Sequence, residues 1–114
     1  MNKFLSLLKN KIIVFDGAMG TSIQAKNLNL DDFWGRNGCN EILVFSKPHI
    51  IQNIHSSFLE VGCDVIETDT FGASKLILQE YDLAEKTCAL NKRAAESNLW
   101  LFSCAVSGKF SAYF

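Results

Sequence analysis

Two short β-branched runs, Ile12-Ile13-Val14-Phe15 and Cys63-Asp64-Val65-Ile66-Glu67-Thr68, stand on either side of one amphipathic stretch, and this order constrains the fold most. Continuous rather than alternating apolarity is what a strand covered on both faces shows. Between the runs, Ile50, Ile51, Ile54, Phe58, Leu59 and Val61 recur at helical spacing. Ser46 is placed to cap that helix, Pro48 suits its first turn and Gly62 its stop. The order is strand, helix, strand.

The flanks extend this pattern. The opening MNKFLSLLKN reads as an amphipathic leading helix rather than a secretory signal, because Lys9 and Lys11 interrupt the apolar core. Met19 to Lys26 suits one or two helical turns, and Asn27 to Asn40 a long polar loop. Ala73 to Glu80 predicts a short helix. Asp82 with Glu85 resembles a capping box that opens a longer helix to about Glu96. Leu99 to Val106 then reads as a third strand.

A βαβαβ run of this kind belongs to the α/β class, with a parallel sheet and right-handed crossovers, either doubly wound or a (β/α)₈ barrel. Periodicity alone leaves both open. A barrel takes about 250 residues, so a chain of 114 holds less than half of one. Such a piece leaves strand edges and an apolar face uncovered, which predicts aggregation.

The charge balance narrows the partners. Eleven basic against twelve acidic side chains leave a net charge of −1 with no basic run, so neither nucleic acid nor an anionic membrane is indicated. No apolar stretch reaches the roughly 20 residues of a spanning helix. Cys39, Cys63, Cys88 and Cys104 are widely spaced without a CxxC pair, which argues against a zinc finger or a redox dithiol and points to a reduced, cytoplasmic setting. Cys63 and Cys88 fall in apolar segments and read as small buried thiols. His55 reads as a packing or surface histidine with satisfied nitrogens, and His49 as solvent-facing.

Two polar clusters carry the chemistry. Asp16-Gly17-Ala18-Met19-Gly20-Thr21 follows the first run, at the end where ligands bind in both parallel architectures. Glycines there admit a ligand close to backbone N–H groups, and the aspartate suits a substrate ammonium. The same residues also read as a tight turn with a capping Asp. Glu67-Thr68-Asp69-Thr70 follows the second run, suiting an amino acid or polyol, or else capping the next helix. Neither is a GxGxxG or Walker sequence, so a nucleotide is disfavoured.

Together these motifs resemble a known family. Ile13 through Thr21, Gly38-Cys39-Asn40-Glu41, Ser46-Lys47-Pro48, Ile54-His55 and Gly62 through Ala73 resemble, in order, the start of the homocysteine-binding domain of cobalamin-dependent methionine synthases. The likeness covers about residues 3 to 97. It implies a partial TIM (β/α)₈ barrel, about the first two to three βα units with an N-terminal helix. It also implies homocysteine as substrate, with zinc and cobalamin as cofactors of the full-length family. Carried over, Asp16 would hold the substrate ammonium, Gly17 and Ala18 would meet its carboxylate, and Glu67, Thr68, Asp69 and Thr70 would line the floor.

Three departures accompany the likeness. The family usually has Asn where this chain has Asp69. Its zinc cysteines come from late strands, so neither a metal site nor a catalytic residue is assigned here, and neither cofactor is expected to bind this chain alone. Residues after about 98 leave the family pattern, which suggests that 1–114 is an N-terminal fragment. The resulting expectation is a piece of a homocysteine S-methyltransferase, inactive alone and needing the rest of the barrel with cobalamin and folate domains. The alternatives are a non-catalytic gene remnant, a pocket-only binding protein, a piece of a betaine- or S-methylmethionine-type enzyme, or a complete small α/β protein.

Overall fold

The structure, a computed structural model, describes residues 3–105, and among these no strand is present. Six α-helices carry the fold: α1 (Lys3–Leu8), α2 (Met19–Gln24), α3 (Leu43–Ser46), α4 (Pro48–Glu60), α5 (Lys75–Leu78) and α6 (Thr87–Ala105). Short 3₁₀ turns at Leu30–Phe33, Asn40–Ile42, Gln79–Tyr81 and Ala84–Lys86 link them. The expectation of a partial (β/α)₈ barrel is therefore corrected.

The two expected strands meet at a single parallel bridge, Phe15 with Val65. Val65 N–H donates to the Val14 carbonyl at 3.2 Å and Asp16 N–H to the Val65 carbonyl at 2.9 Å. A ladder extends only where successive residues find partners on both sides, and here the runs have one another for barely two residues. Nor is the first run covered on both faces, since Ile12 is 87% exposed and Val14 and Phe15 are exposed too. Asp64 ties the contact down. Its carboxylate pairs with the Lys11 ammonium and accepts the Val14 N–H at 3.0 Å.

The third expected strand is helix. α6 runs unbroken through Leu99 to Ala105, and Leu101 packs with Leu59, Cys63 and Ile66. A helix satisfies its own backbone groups, whereas a strand needs a neighbour. Val106 and the tail to Phe114 lie outside the described residues.

The amphipathic stretch behaves as its spacing predicts. α4 buries Ile51, Ile54, His55 and Leu59, has Pro48 at its start, and is followed by Gly62 at φ +99°, a left-handed conformation that suits glycine. Ser46 is not its cap. That residue ends α3, its hydroxyl donates back to the Ile42 carbonyl, and Lys47 holds the cap position without a side-chain bond. The Asp82/Glu85 capping box is also absent, because Asp82 takes a left-handed φ of +56° and closes the preceding turn. A true box forms at the Leu30–Phe33 turn, where Asn29 and Asp32 exchange side-chain to backbone bonds.

Apolar packing gathers in three clusters. The largest joins Cys39, Ile42, Val44, Leu78, Leu83 and Leu90, tying α3 and α5 to α6. A second holds Ile23, Leu43, Ile51 and Ile54, seating α2 on α4. The third is the small group around Leu101. Cys88, expected to be buried, is exposed on α6, whereas Cys39 and Cys63 are buried.

Candidate functional site

The bridge places both polar clusters side by side. Asp16 directly follows Phe15, and its Oδ1 accepts the Glu67 N–H at 3.0 Å, so the first cluster is stitched to the second across fifty-one positions of sequence. Around this bond opens a cleft of about 410 Å³. Five of the seven sequence-predicted residues line it: Asp16, Gly17, Glu67, Thr68 and Asp69. Ala18 and Thr70 do not. The Ala18 carbonyl accepts the Ser22 hydroxyl at 2.7 Å, and Thr70 shares a 2.6 Å hydroxyl contact with Thr68, which orients that wall from behind.

Residues outside those seven complete the lining. Met19 and Gly20 open α2, Asn40 and Glu41 come from the 3₁₀ turn before α3, and Phe71 stands fully exposed at the edge. Glu41 matters most. It is nearly buried, at 9% exposure, and its Oε1 accepts the Gly72 N–H at 2.7 Å. Only glycine permits this approach, since a Cβ on Gly72 would stand 2.7 Å from that oxygen. The signal was in the sequence, where Glu41 is the one acid within Cys39-Asn40-Glu41-Ile42-Leu43-Val44-Phe45. A lone charge in such a run is buried against a partner or exposed at a ligand.

The cleft is acidic and partly dry. Burial raises the Asp16 carboxyl above its usual range, with the Glu67 N–H opposing and the Glu67 charge adding to the rise. Asp69 is pushed up to about 7, by burial first and by the Glu41 charge second. Behind the cleft, His55 is fully buried and neither ring nitrogen meets hydrogen-bond geometry among the described residues. The packing histidine read from the sequence is met by this burial, and its expected satisfied nitrogens are corrected. Burial drives its imidazole down to about 4, against a weaker upward pull from the Glu67 main chain. His49 is exposed.

Such an arrangement suits a small zwitterion. The acidic groups attract an ammonium, and the two adjoining turns bring main chain close to the same space.

Comparisons with known proteins bear on this reading. A family model described as homocysteine S-methyltransferase matches residues 13–100. The methionine synthase of Mycobacterium tuberculosis is 44% identical over 89 residues, which are 78% of this chain and 8% of that protein. That of Mycobacterium leprae is 45% identical over 89 residues, 78% of this chain and 7% of that protein. The chain thus spans less than a tenth of the length of these relatives. The crystal structure of the homocysteine methyltransferase MmuM from Escherichia coli, in its metallated form, superposes with a TM-score of 0.70 at 23% identity. That likeness covers 97% of this chain and 40% of the enzyme, and is one of chain trace.

Proposed function

The chain belongs to the homocysteine S-methyltransferase family, and on that premise we propose that its cleft is the amino-acid end of a homocysteine pocket. The chain is then a fragment of a homocysteine methyltransferase, a methionine synthase in kind. Asp16 and Glu67 draw the substrate ammonium, the Gly17 main chain faces its carboxylate, and Thr68 and Asp69 shape the floor, with Thr70 behind Thr68. The observation that carries this reading is the Asp16 to Glu67 bond, which joins the two clusters around one cleft of substrate size.

In the full-length family, as the sequence resemblance implies, a bound zinc would supply the acidity that makes the homocysteine thiol a thiolate, and cobalamin would supply the methyl group. The donors present here do not fit that metal. Among the described residues no three His, Cys, Asp or Glu side chains are grouped to hold an ion. No step of the transfer is therefore assigned to a residue of this chain. The work of its residues is to bind and orient, with the remaining family segments and the cobalamin and folate domains as partners. The setting proposed is cytoplasmic, in keeping with helices none of which, among the described residues, is long and apolar enough to cross a membrane.

Titration calorimetry with L-homocysteine tests the pocket. Binding is expected, and Asp16→Asn should weaken it by about tenfold, the loss typical of a charge-assisted hydrogen bond. Equal affinity in the two proteins would remove Asp16 from the site.

A further inference from the structure

Two carboxyl groups of the cleft lie deep in the protein. Glu41 is 9% exposed and Asp69 6% exposed, and among the described residues neither enters a salt bridge. Their hydrogen bonding is unequal. Glu41 has the Gly72 N–H on Oε1 at 2.7 Å. Asp69 lines the cleft, yet its Oδ2 is out of solvent and without a hydrogen-bond partner among the described residues.

Two like charges so placed oppose one another, and a dry, orphaned carboxylate oxygen adds a desolvation cost. One proton relieves both. It settles on the group whose carboxylate is less well bonded, and that group is Asp69, whose Oδ2 has no partner among the described residues while Glu41 has the Gly72 N–H.

We propose that Asp69 keeps its proton at neutral pH, with Glu41 as the ionised neighbour that holds it neutral, and offers its O–H to an acceptor oxygen of the ligand. The ligand group at this point of the cleft is therefore an acceptor such as the α-carboxylate of an amino acid, not a cation. Burial and the Glu41 charge act on Asp69 in the same sense. The other groups facing it do not reverse this. Asp16 and Glu67, which share the cleft, are acids, and the Cys39 thiol, which feels the Asp69 carboxyl, is held protonated by burial. Arg36, whose charge reaches Cys39, is engaged by the Tyr81 and Trp34 carbonyls.

The consequence concerns the family position directly. An asparagine there offers an N–H donor at every pH, whereas a protonated Asp69 offers the same kind of donor only while its proton stays. The ligand half of this inference rests on the amino-acid pocket proposed above, and the proton half does not.

Carbon-13 NMR of the Asp69 side-chain carboxyl in the 114-residue chain, followed against pH, tests the proton. A titration centred near neutrality is expected, moving to lower pH in Glu41→Gln, which keeps an oxygen for the Gly72 N–H. A midpoint in the ordinary carboxylate range would overturn the inference. Calorimetry with L-homocysteine tests the donor: affinity should fall about tenfold per pH unit above the Asp69 midpoint, and Asp69→Asn should remove that dependence. A neutral-range titration combined with pH-independent binding would overturn the donor role alone. No binding at any pH would sink the pocket, while the carboxyl titration would still decide where the proton sits.

Discussion

Two buried titratable side chains pull the stability of this protein in opposite directions. Asp69 rises from 3.8 to about 7 on folding, so between those values the folded chain holds a proton that the unfolded chain has lost. Stability from this group is complete below the unfolded value and disappears as pH climbs through the folded one. His55 falls from 6.5 to about 4, so between those values the unfolded chain holds the proton. Its contribution is complete above the unfolded value and disappears as pH falls through the folded one. From about pH 4 to 6.5 the two slopes, each at most about 1.4 kcal/mol per pH unit, offset one another. Urea unfolding of single variants separates them. Relative to the parent, Asp69→Asn should gain stability as pH rises through this window, and His55→Leu should gain it as pH falls. Parallel pH profiles for parent and Asp69→Asn would mean that Asp69 is ionised throughout. Neither shift was legible in the sequence, because Asp69 sits in a polar cluster and His55 beside two serines. Their burial is made by residues distant in the chain.

Among the elements, those that close their bonds locally were legible and those that need a neighbour were not. α4 follows from its apolar spacing, its proline and its glycine, all within fifteen positions. The strands fail for the complementary reason. Ile12 to Phe15 finds one short partner, and Leu99 to Ala105 joins the helix that precedes it. Of the site, Asp16, Gly17 and the Glu67 to Asp69 wall were readable as polar turns after apolar runs. Glu41 left only the mark of a lone acid in an apolar run, because the partner that gives it a role, Gly72, stands thirty-one positions away. What holds the two runs together is Asp64, which receives both the Lys11 ammonium and the Val14 N–H. Asp64→Ala should therefore cost about 1 kcal/mol, the net worth of a hydrogen bond with a partly exposed ion pair. Amide exchange should also quicken at Val65 and Asp16, the donors of the bridge. Unchanged protection at those two amides would show that the bridge stands without Asp64.

At the scale of the molecule, the same failure to extend a ladder leaves apolar side chains without cover. Ile12 at 87%, Val61 at 83% and Phe71 at 101% exposure are large hydrophobes in water, and Val14 and Phe15 add to the first of them. Each fully exposed side chain of this kind forgoes about 1.5–3 kcal/mol of burial, and a backbone edge with a single bridge offers unpaired donors and acceptors to another copy. The family relatives are more than ten times longer than the matched segment. Isolated, the 114-residue protein is expected to self-associate, with sedimentation velocity showing larger species as its concentration rises. Ile12→Lys is the informative variant. Its side chain is almost wholly exposed, so a lysine should leave the unfolding free energy within about 0.5 kcal/mol of the parent. It also sets a charge on the open edge, the device by which natural sheets discourage pairing between copies. Association should weaken while the helical signal stays. Unaltered association in Ile12→Lys would place the contact elsewhere, and a concentration-independent monomer would mean that the exposed run carries no drive to pair.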